Sequence, residues 1–99
     1  MDESVAAKSL SALGHEARLA VFRLLVRAGE DGLNVGEIGL HLEIPPSTLA
    51  HHLSTLVDVG LVRQKRFGRE IRNYAEYDRM TGLVDFLTRE CCAGVGQPS

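Results

Sequence analysis

Two adjacent thiols near the C-terminal end, Cys91 and Cys92, are the residues best equipped for chemistry in this chain. Thiolates are soft ligands and good nucleophiles, so a neighbouring pair can hold a thiophilic ion or be oxidised. A disulfide between neighbours closes a strained ring, which makes it easily reduced and suited to regulation. The plainer reading makes Cys91 a small hydrophobe on a helix stripe and Cys92 incidental. Two cysteines cannot form a disulfide framework. His15, His41, Glu16, Glu37 and Glu43 are scattered along the chain and make a poor zinc set. There is no C-x-x-C, no glycine-rich nucleotide loop and no nucleophile paired with a base, which argues against an enzyme.

The second constellation is larger. Residues 44–75 read IPPSTLAHHLSTLVDVGLVRQKRFGREIRNYA, an amphipathic helix followed directly by a basic hairpin. A helix of this size fits the DNA major groove, and arginines on a hairpin can hold the adjacent phosphates. Ser47 and Thr48, at the helix start, can donate to phosphates or base edges, helped by the free backbone N–H groups there. His51 reaches the same side, and His52 is either a second DNA contact or a hydrogen-bonded core histidine. Neither Arg nor Asn stands on this face to make the strong bidentate base pairings, so specificity per half-site should be modest. Arg66 and Arg69 flank Gly68 at the hairpin tip and suit minor-groove or phosphate contact. Arg72 is a further candidate, with an intramolecular salt bridge as its alternative. Arg18 reads as a structural ion pair or helix-end contact.

The net charge of -2 has to be read regionally. Arg63, Lys65, Arg66, Arg69 and Arg72 place five of the chain's 11 basic residues between Leu61 and Ala75, opposed only by Glu70. A local basic patch on a mildly acidic protein favours short-range phosphate contact over long-range attraction to any polyanion. The alternative is a solvated hairpin whose charges protect a strand edge.

The elements that must position these residues follow from periodicity. Val5, Ala6, Leu10 and Leu13 predict a short helix over 3–13, and a mostly buried helix runs from about Glu16 to Ala28. Gly29-Glu30-Asp31-Gly32 is a turn. Val35, Ile38 and Leu42 form the inner face of a short helix over 35–42. Pro46 suits the first position of the next helix, which Leu49, Leu53, Leu56 and Val57 anchor and Gly60 ends. Residues 61–67 and the alternation of Ile71, Asn73 and Ala75 with Arg72, Tyr74 and Glu76 give the hairpin. Asp78 should cap a last helix carrying Met80, Leu83, Val84, Leu87 and Cys91 on one stripe. The expected fold is α+β and mostly helical: a winged helix-turn-helix of four helices, a two-stranded wing and a C-terminal helix.

The 99 residues suit one domain, over 1–93, followed by a flexible tail at 94–99. A domain of this size gains from dimerisation. There is no apolar run of membrane-spanning length, and the acidic start MDESVAAKSL is not a secretory signal, so a cytoplasmic protein with no membrane partner is expected.

The chain resembles the ArsR/SmtB family of bacterial metal- and metalloid-responsive repressors over about residues 5–92. The resemblance rests on Ala12-Leu13-Gly14-His15-Glu16-Ala17-Arg18-Leu19, Ser47-Thr48-Leu49-Ala50-His51-His52-Leu53, Gly60-Leu61-Val62 and Arg66-Phe67-Gly68-Arg69, in that order. It implies a homodimer built on the first and last helices, with two recognition helices in successive major grooves of double-stranded operator DNA. The family's cysteine site before the recognition helix is missing, since 33–40 read LNVGEIGL, and no histidine follows His52 to build the zinc site of the last helix. What remains is Cys91-Cys92, which resembles the vicinal pair of arsenical-responsive members. The resemblance implies no required cofactor, with trivalent arsenic or antimony as inducer. Inorganic arsenic(III) prefers three sulfurs, whereas a methylated or aryl arsenical needs only two. A thiol redox-responsive repressor and a winged-helix protein-interaction module are the alternatives.

Overall fold

Six large aliphatic side chains, Leu25, Ile38, Leu49, Leu53, Leu56 and Leu61, are almost completely removed from solvent and form the centre of the protein. The computed structural model describes residues 1–98, and three helices meet at this centre. The elements are α1 (Glu3–Leu13), α2 (Glu16–Ala28), a 3-10 turn (Gly29–Asp31), β1 (Leu33–Asn34), α3 (Val35–Leu42), α4 (Pro46–Asp58), β2 (Val62–Phe67), β3 (Glu70–Ala75) and α5 (Tyr77–Thr88).

The helix starts are locally encoded. Asp2 caps α1 by accepting from the Val5 N–H at 2.8 Å, and His15 caps α2 through Nδ1, which accepts from the Ala17 N–H at 3.2 Å. Asn34 and Glu37 form a reciprocal capping box on α3, satisfying two backbone donors at once. α4 is different. It begins on Pro46 with no side-chain cap, so its first N–H groups keep their capacity to bind an anion. Arg18 makes the helix-end contact, its Nε donating to the Ala12 carbonyl at 2.7 Å.

α3 and α4 are joined by Glu43-Ile44-Pro45, with Glu43 in the left-handed conformation at φ 54°. The hairpin then leaves α4 through Gly60, at φ 80°. β2 and β3 are antiparallel with Phe67 opposite Glu70, leaving Gly68-Arg69 as a two-residue turn. Gly68 takes φ 63° and Arg69 does not cross to positive φ. Glycine in the first turn position is what a tight hairpin of this kind requires.

The two-stranded wing is present with one further strand beside it, and two expectations are corrected. The sheet has three strands, in the order β1-β3-β2. β1 pairs Leu33 with Asn73 and Asn34 with Arg72, and two residues carry too little alternation to announce a strand. Asp78 does not cap α5, because the helix starts two residues earlier than such a cap implies, at Tyr77, with Glu76 at the cap position and no side-chain cap bond. Cys91 is not on the α5 stripe, because the helix ends at Thr88. The chain turns there, with Glu90 at φ 60° and Cys92 at φ 66°. Of the tail over 94–99, Ser99 lies outside the described residues. No helix among the described residues is long and apolar enough to cross a membrane.

Candidate nucleic-acid interface

α4 divides its residues cleanly between two sides. Leu49, His52, Leu53 and Leu56 are buried, while Ser47, Thr48, Ala50, His51, Ser54 and Asp58 are exposed. Ser47, His51, Ser54 and Asp58 lie at i, i+4, i+7 and i+11, a single ridge along the outer surface. Thr55 is half-buried and turned back, its hydroxyl donating to the His51 carbonyl at 3.2 Å. At 1.5 Å per residue the 13-residue helix is roughly 20 Å long. The ridge is polar and almost uncharged, and its N-terminal end has uncapped backbone donors.

The wing supplies the charge. Arg66 and Arg69 are exposed, and among the described residues neither has a carboxylate within 4.0 Å. Lys65 is also exposed, its ammonium 5.3 Å from the centre of the Phe67 ring. Arg63 is partly committed. It lies 4.6 Å above the Tyr74 ring and 3.5 Å from Glu76.

Two of the seven expected contacts turn inward instead. His52 is 5% exposed, too deep for its imidazole to meet DNA. Its ring lies 4.9 Å from that of His15 and 6.1 Å from that of His51. Its Nδ1 is buried with no hydrogen-bond partner among the described residues. Burial pushes the His52 pKa below the ordinary histidine value, and the nearby charges of His15, Arg18 and His51 push it further the same way. Position 52 falls inside the Leu49, Leu53, Leu56 stripe, so the same periodicity that located the helix also located this side chain.

Arg72 is used within the chain. Its Nε donates to the Asp31 carbonyl at 2.9 Å and its terminal nitrogens to Gly32 O at 2.9 Å and to Glu70, with Glu37 at 3.4 Å. The hydrogen bond to Glu70, then the charges of Glu37 and Glu70, raise its pKa above the usual arginine value. Arg72 thus clamps the loop before β1 onto the wing. The fully buried Asn73 beside it accepts from Gln64 Nε2 at 2.8 Å and donates to the Leu33 carbonyl at 3.1 Å. These polar side chains fix the three-strand register from inside.

Ser47, Thr48, His51, Arg66 and Arg69 therefore remain as the exposed expected set. Ser54, absent from the expected set, joins them, as does Lys65, which the sequence places only in the general basic patch. Ser54 follows His51 at i+3, and Lys65 is one residue from Arg66, so spacing alone could have found the first and charge the second. The thiols are elsewhere. Cys91 and Cys92 are exposed, with sulfurs 3.2 Å apart, in the turn after α5. No three metal-ligating side chains converge among the described residues.

A polar, uncapped helix carried by a preceding helix and flanked by a basic hairpin defines a winged helix-turn-helix regulator of transcription. Residues 13–65 match the family described as "Helix-turn-helix domain". The "Uncharacterized HTH-type transcriptional regulator YceK" of Bacillus subtilis is 34% identical over 68 residues, covering 69% of this chain and 67% of that protein. The "Putative arsenical resistance operon repressor ArsR" of Halobacterium salinarum is 40% identical over 60 residues, 61% of this chain and 46% of that one. Among solved structures, an ArsR-like transcriptional regulator from Rhodococcus superposes with a TM-score of 0.77 at 27% identity, covering 87% of this chain and 78% of that one. HlyU from Vibrio cholerae gives 0.71 at 27% identity, covering 93% and 99%. The chain belongs to the ArsR family of helix-turn-helix transcription regulators, a family that is not enzymatic.

Proposed function

We propose that this protein is a homodimeric repressor that leaves its operator when a trivalent arsenical, or antimonite, binds Cys91 and Cys92. The observation that carries the reading is the 3.2 Å separation of two exposed, unoxidised sulfurs. A soft ion can bridge such a pair without refolding the chain. With a monosubstituted arsenical carrying two hydroxyls, each thiol forms one As–S bond, and its proton leaves with one hydroxyl as water. Inorganic arsenic keeps a third position for hydroxide or a sulfur from the second subunit. The description of the Halobacterium relative supports the choice of inducer.

DNA would be held by Ser47, Thr48, His51 and Ser54 of α4 and by Lys65, Arg66 and Arg69 of the wing. The helix ridge lacks strong base-reading side chains, so the spacing of two copies must supply much of the specificity. Leu10, Tyr77, Val84 and Leu87 on α1 and α5 are exposed apolar side chains that the single chain leaves uncovered, and pairing α1 and α5 between copies would bury them. Because the thiols follow α5 directly, closing them on one arsenic atom constrains the end of a helix that sets the spacing of the subunits. A coupling of about 1–3 kcal/mol, or ~5- to 150-fold in DNA affinity, is typical of such linkage.

Fluorescence anisotropy on the DNA upstream of the protein's own gene tests the reading. Arsenite, methylarsenite, Zn(II) and peroxide are added in turn to the complex. Release by the arsenicals, lost in Cys91→Ser/Cys92→Ser while DNA binding persists, is the expected result. Arsenical-saturated protein that binds as tightly as free protein overturns it. Release by peroxide alone would favour the redox alternative, which the same sulfur separation also supports: peroxide converts one thiolate to a sulfenic acid, and the second displaces water to give the disulfide.

A further inference from the structure

Where the end of α4 meets α1 and the start of α5, the surface opens into a cavity of about 260 Å³. Val5, Val57 and Val59 give it an apolar wall, and the cations of Lys8 and Arg79 line it as well. Among the described residues neither cation has a carboxylate within 4.0 Å. Arg79 lies directly over the Gly60 backbone, so that a Cβ at position 60 would come within 2.8 Å of its guanidinium. This bare glycine brings a planar, always-charged group to a valine-walled hollow. Asp58 is the one acid in the lining. It is exposed, so water and salt screen it, and the two cations outnumber it.

We propose that this hollow is an effector site for a small organic carboxylate with an apolar tail. Arg79 and Lys8 would take the carboxylate, Arg79 through its paired N–H donors, and the valines would take the tail. The volume lies just below the ~300–1,000 Å³ of drug-sized ligand sites, which suits a compact metabolite. The site is separate from the sulfur pair and from the apolar flank offered to a second copy. Lys8 and Leu10 are two positions apart on α1, and Arg79 and Tyr77 two apart on α5, in each case roughly 200° around the helix. The hollow therefore faces away from Leu10 and Tyr77. Its position also gives it leverage. Gly60 is the link between α4 and the wing, and Arg79 belongs to α5, so a ligand there bears on the DNA-reading elements and on the helix that spaces them.

Titration of the isotope-labelled full chain by ¹H–¹⁵N NMR tests this with hexanoate as the probe. Hexanol serves as the uncharged control and inorganic phosphate as the tail-less anion. Saturable shifts of the Val59 and Gly60 amides with hexanoate, larger than with either control, are expected. Arg79→Gln should weaken the apparent affinity by roughly tenfold or more, as loss of a charge-assisted hydrogen bond does. Lys8→Gln, an exposed change on α1, should weaken it in the same direction and guards against a folding effect of the first variant. Equal responses to hexanoate and hexanol overturn the proposal, as do equal responses to phosphate, or unchanged hexanoate affinity in Lys8→Gln and in folded Arg79→Gln. Absence of saturation with hexanoate overturns it as well.

Discussion

The imidazoles of His15 and His52 lie 4.9 Å apart, centre to centre, one exposed at the start of α2 and the other buried on the inner face of α4. With its Nδ1 unpartnered and its pKa lowered, His52 is neutral at pH 7. In the unfolded chain it titrates near 6.5, so below that pH the unfolded state binds more protons than the folded one. Stability is therefore undiminished by this group above about pH 6.5. It declines as the pH falls from there towards the lower folded-state pKa and levels off beneath it. Urea unfolding at pH 7.5 and 5.5 should show a lower midpoint at the acid pH. His52→Leu should flatten that difference and leave the neutral-pH stability equal or higher, since it removes an unsatisfied buried nitrogen. An unchanged pH difference in the variant would assign the effect to other groups.

The wing arginines should separate by role. Arg66→Gln and Arg69→Gln each remove one exposed cation, so each should weaken binding to all DNA sequences alike and reduce the salt slope by about one. Thermal stability should hardly move. Arg72→Gln should do the reverse, because Arg72 ties Asp31, Gly32, Glu37 and Glu70 together. Its loss should lower the melting temperature first, with DNA affinity falling only as folded protein is lost. Salt-dependent DNA titrations and melting curves on the same three variants decide it. A full-unit slope change for Arg72→Gln in stably folded protein would contradict the assignment.

The turn of the helix-turn-helix holds a correctable strain. Glu43 occupies the left-handed region at φ 54° and closes α3 through its N–H, which donates to the Gly39 carbonyl at 2.8 Å. Glycine adopts that conformation without steric cost. Glu43→Gly should stabilise the protein by about 0.5–1 kcal/mol, the relief of strain outweighing the added freedom of the unfolded chain. The substitution leaves the exposed ridge of α4 untouched, so DNA affinity should be unchanged. Equilibrium urea unfolding gives the first quantity and anisotropy the second. A destabilised Glu43→Gly would mean that the glutamate side chain stabilises the turn.

Periodicity made the helices legible, because each buries one stripe and little else is needed to place it. The helix-turn-helix and the hairpin followed from that and from the glycines at 60 and 68. Position 52 was legible too, as the i+3 member of the Leu49 stripe, but two adjacent histidines invite a reading by chemistry rather than by spacing. For Arg72 the sequence offers an intramolecular salt bridge as the alternative to DNA contact, but not its partners. Alternation put it on an outer strand face, and only the pairing of Leu33 and Asn34 with β3 brings backbone carbonyls and Glu37 within its reach. The end of α5 at Thr88 is hidden from periodicity for a related reason. Leu87 and Cys91 are four apart and look like one stripe, yet beyond Thr88 the side chains are exposed and have no core to pack on. A short helix does not extend on periodicity alone without tertiary burial.

That exposed end of α5 bears directly on assembly. Val84 is 58% exposed and Leu87 57% in the single chain, so replacing either by glutamate should change monomer stability by no more than about 0.5 kcal/mol. In a twofold dimer each substitution appears twice and would place unpaired charges in the buried contact, a cost of several kcal/mol. Val84→Glu/Leu87→Glu should therefore shift the protein to monomer by sedimentation equilibrium while its circular dichroism stays that of the folded chain. Operator affinity should fall with the dimer, because the polar ridge from Ser47 to Ser54 has little base-reading strength of its own. Salt dependence per bound monomer should persist, since Arg66 and Arg69 remain on the wing. A variant that is still dimeric, or a monomer that binds a full operator as tightly as the parent, would show that subunit spacing by α5 does not supply the specificity.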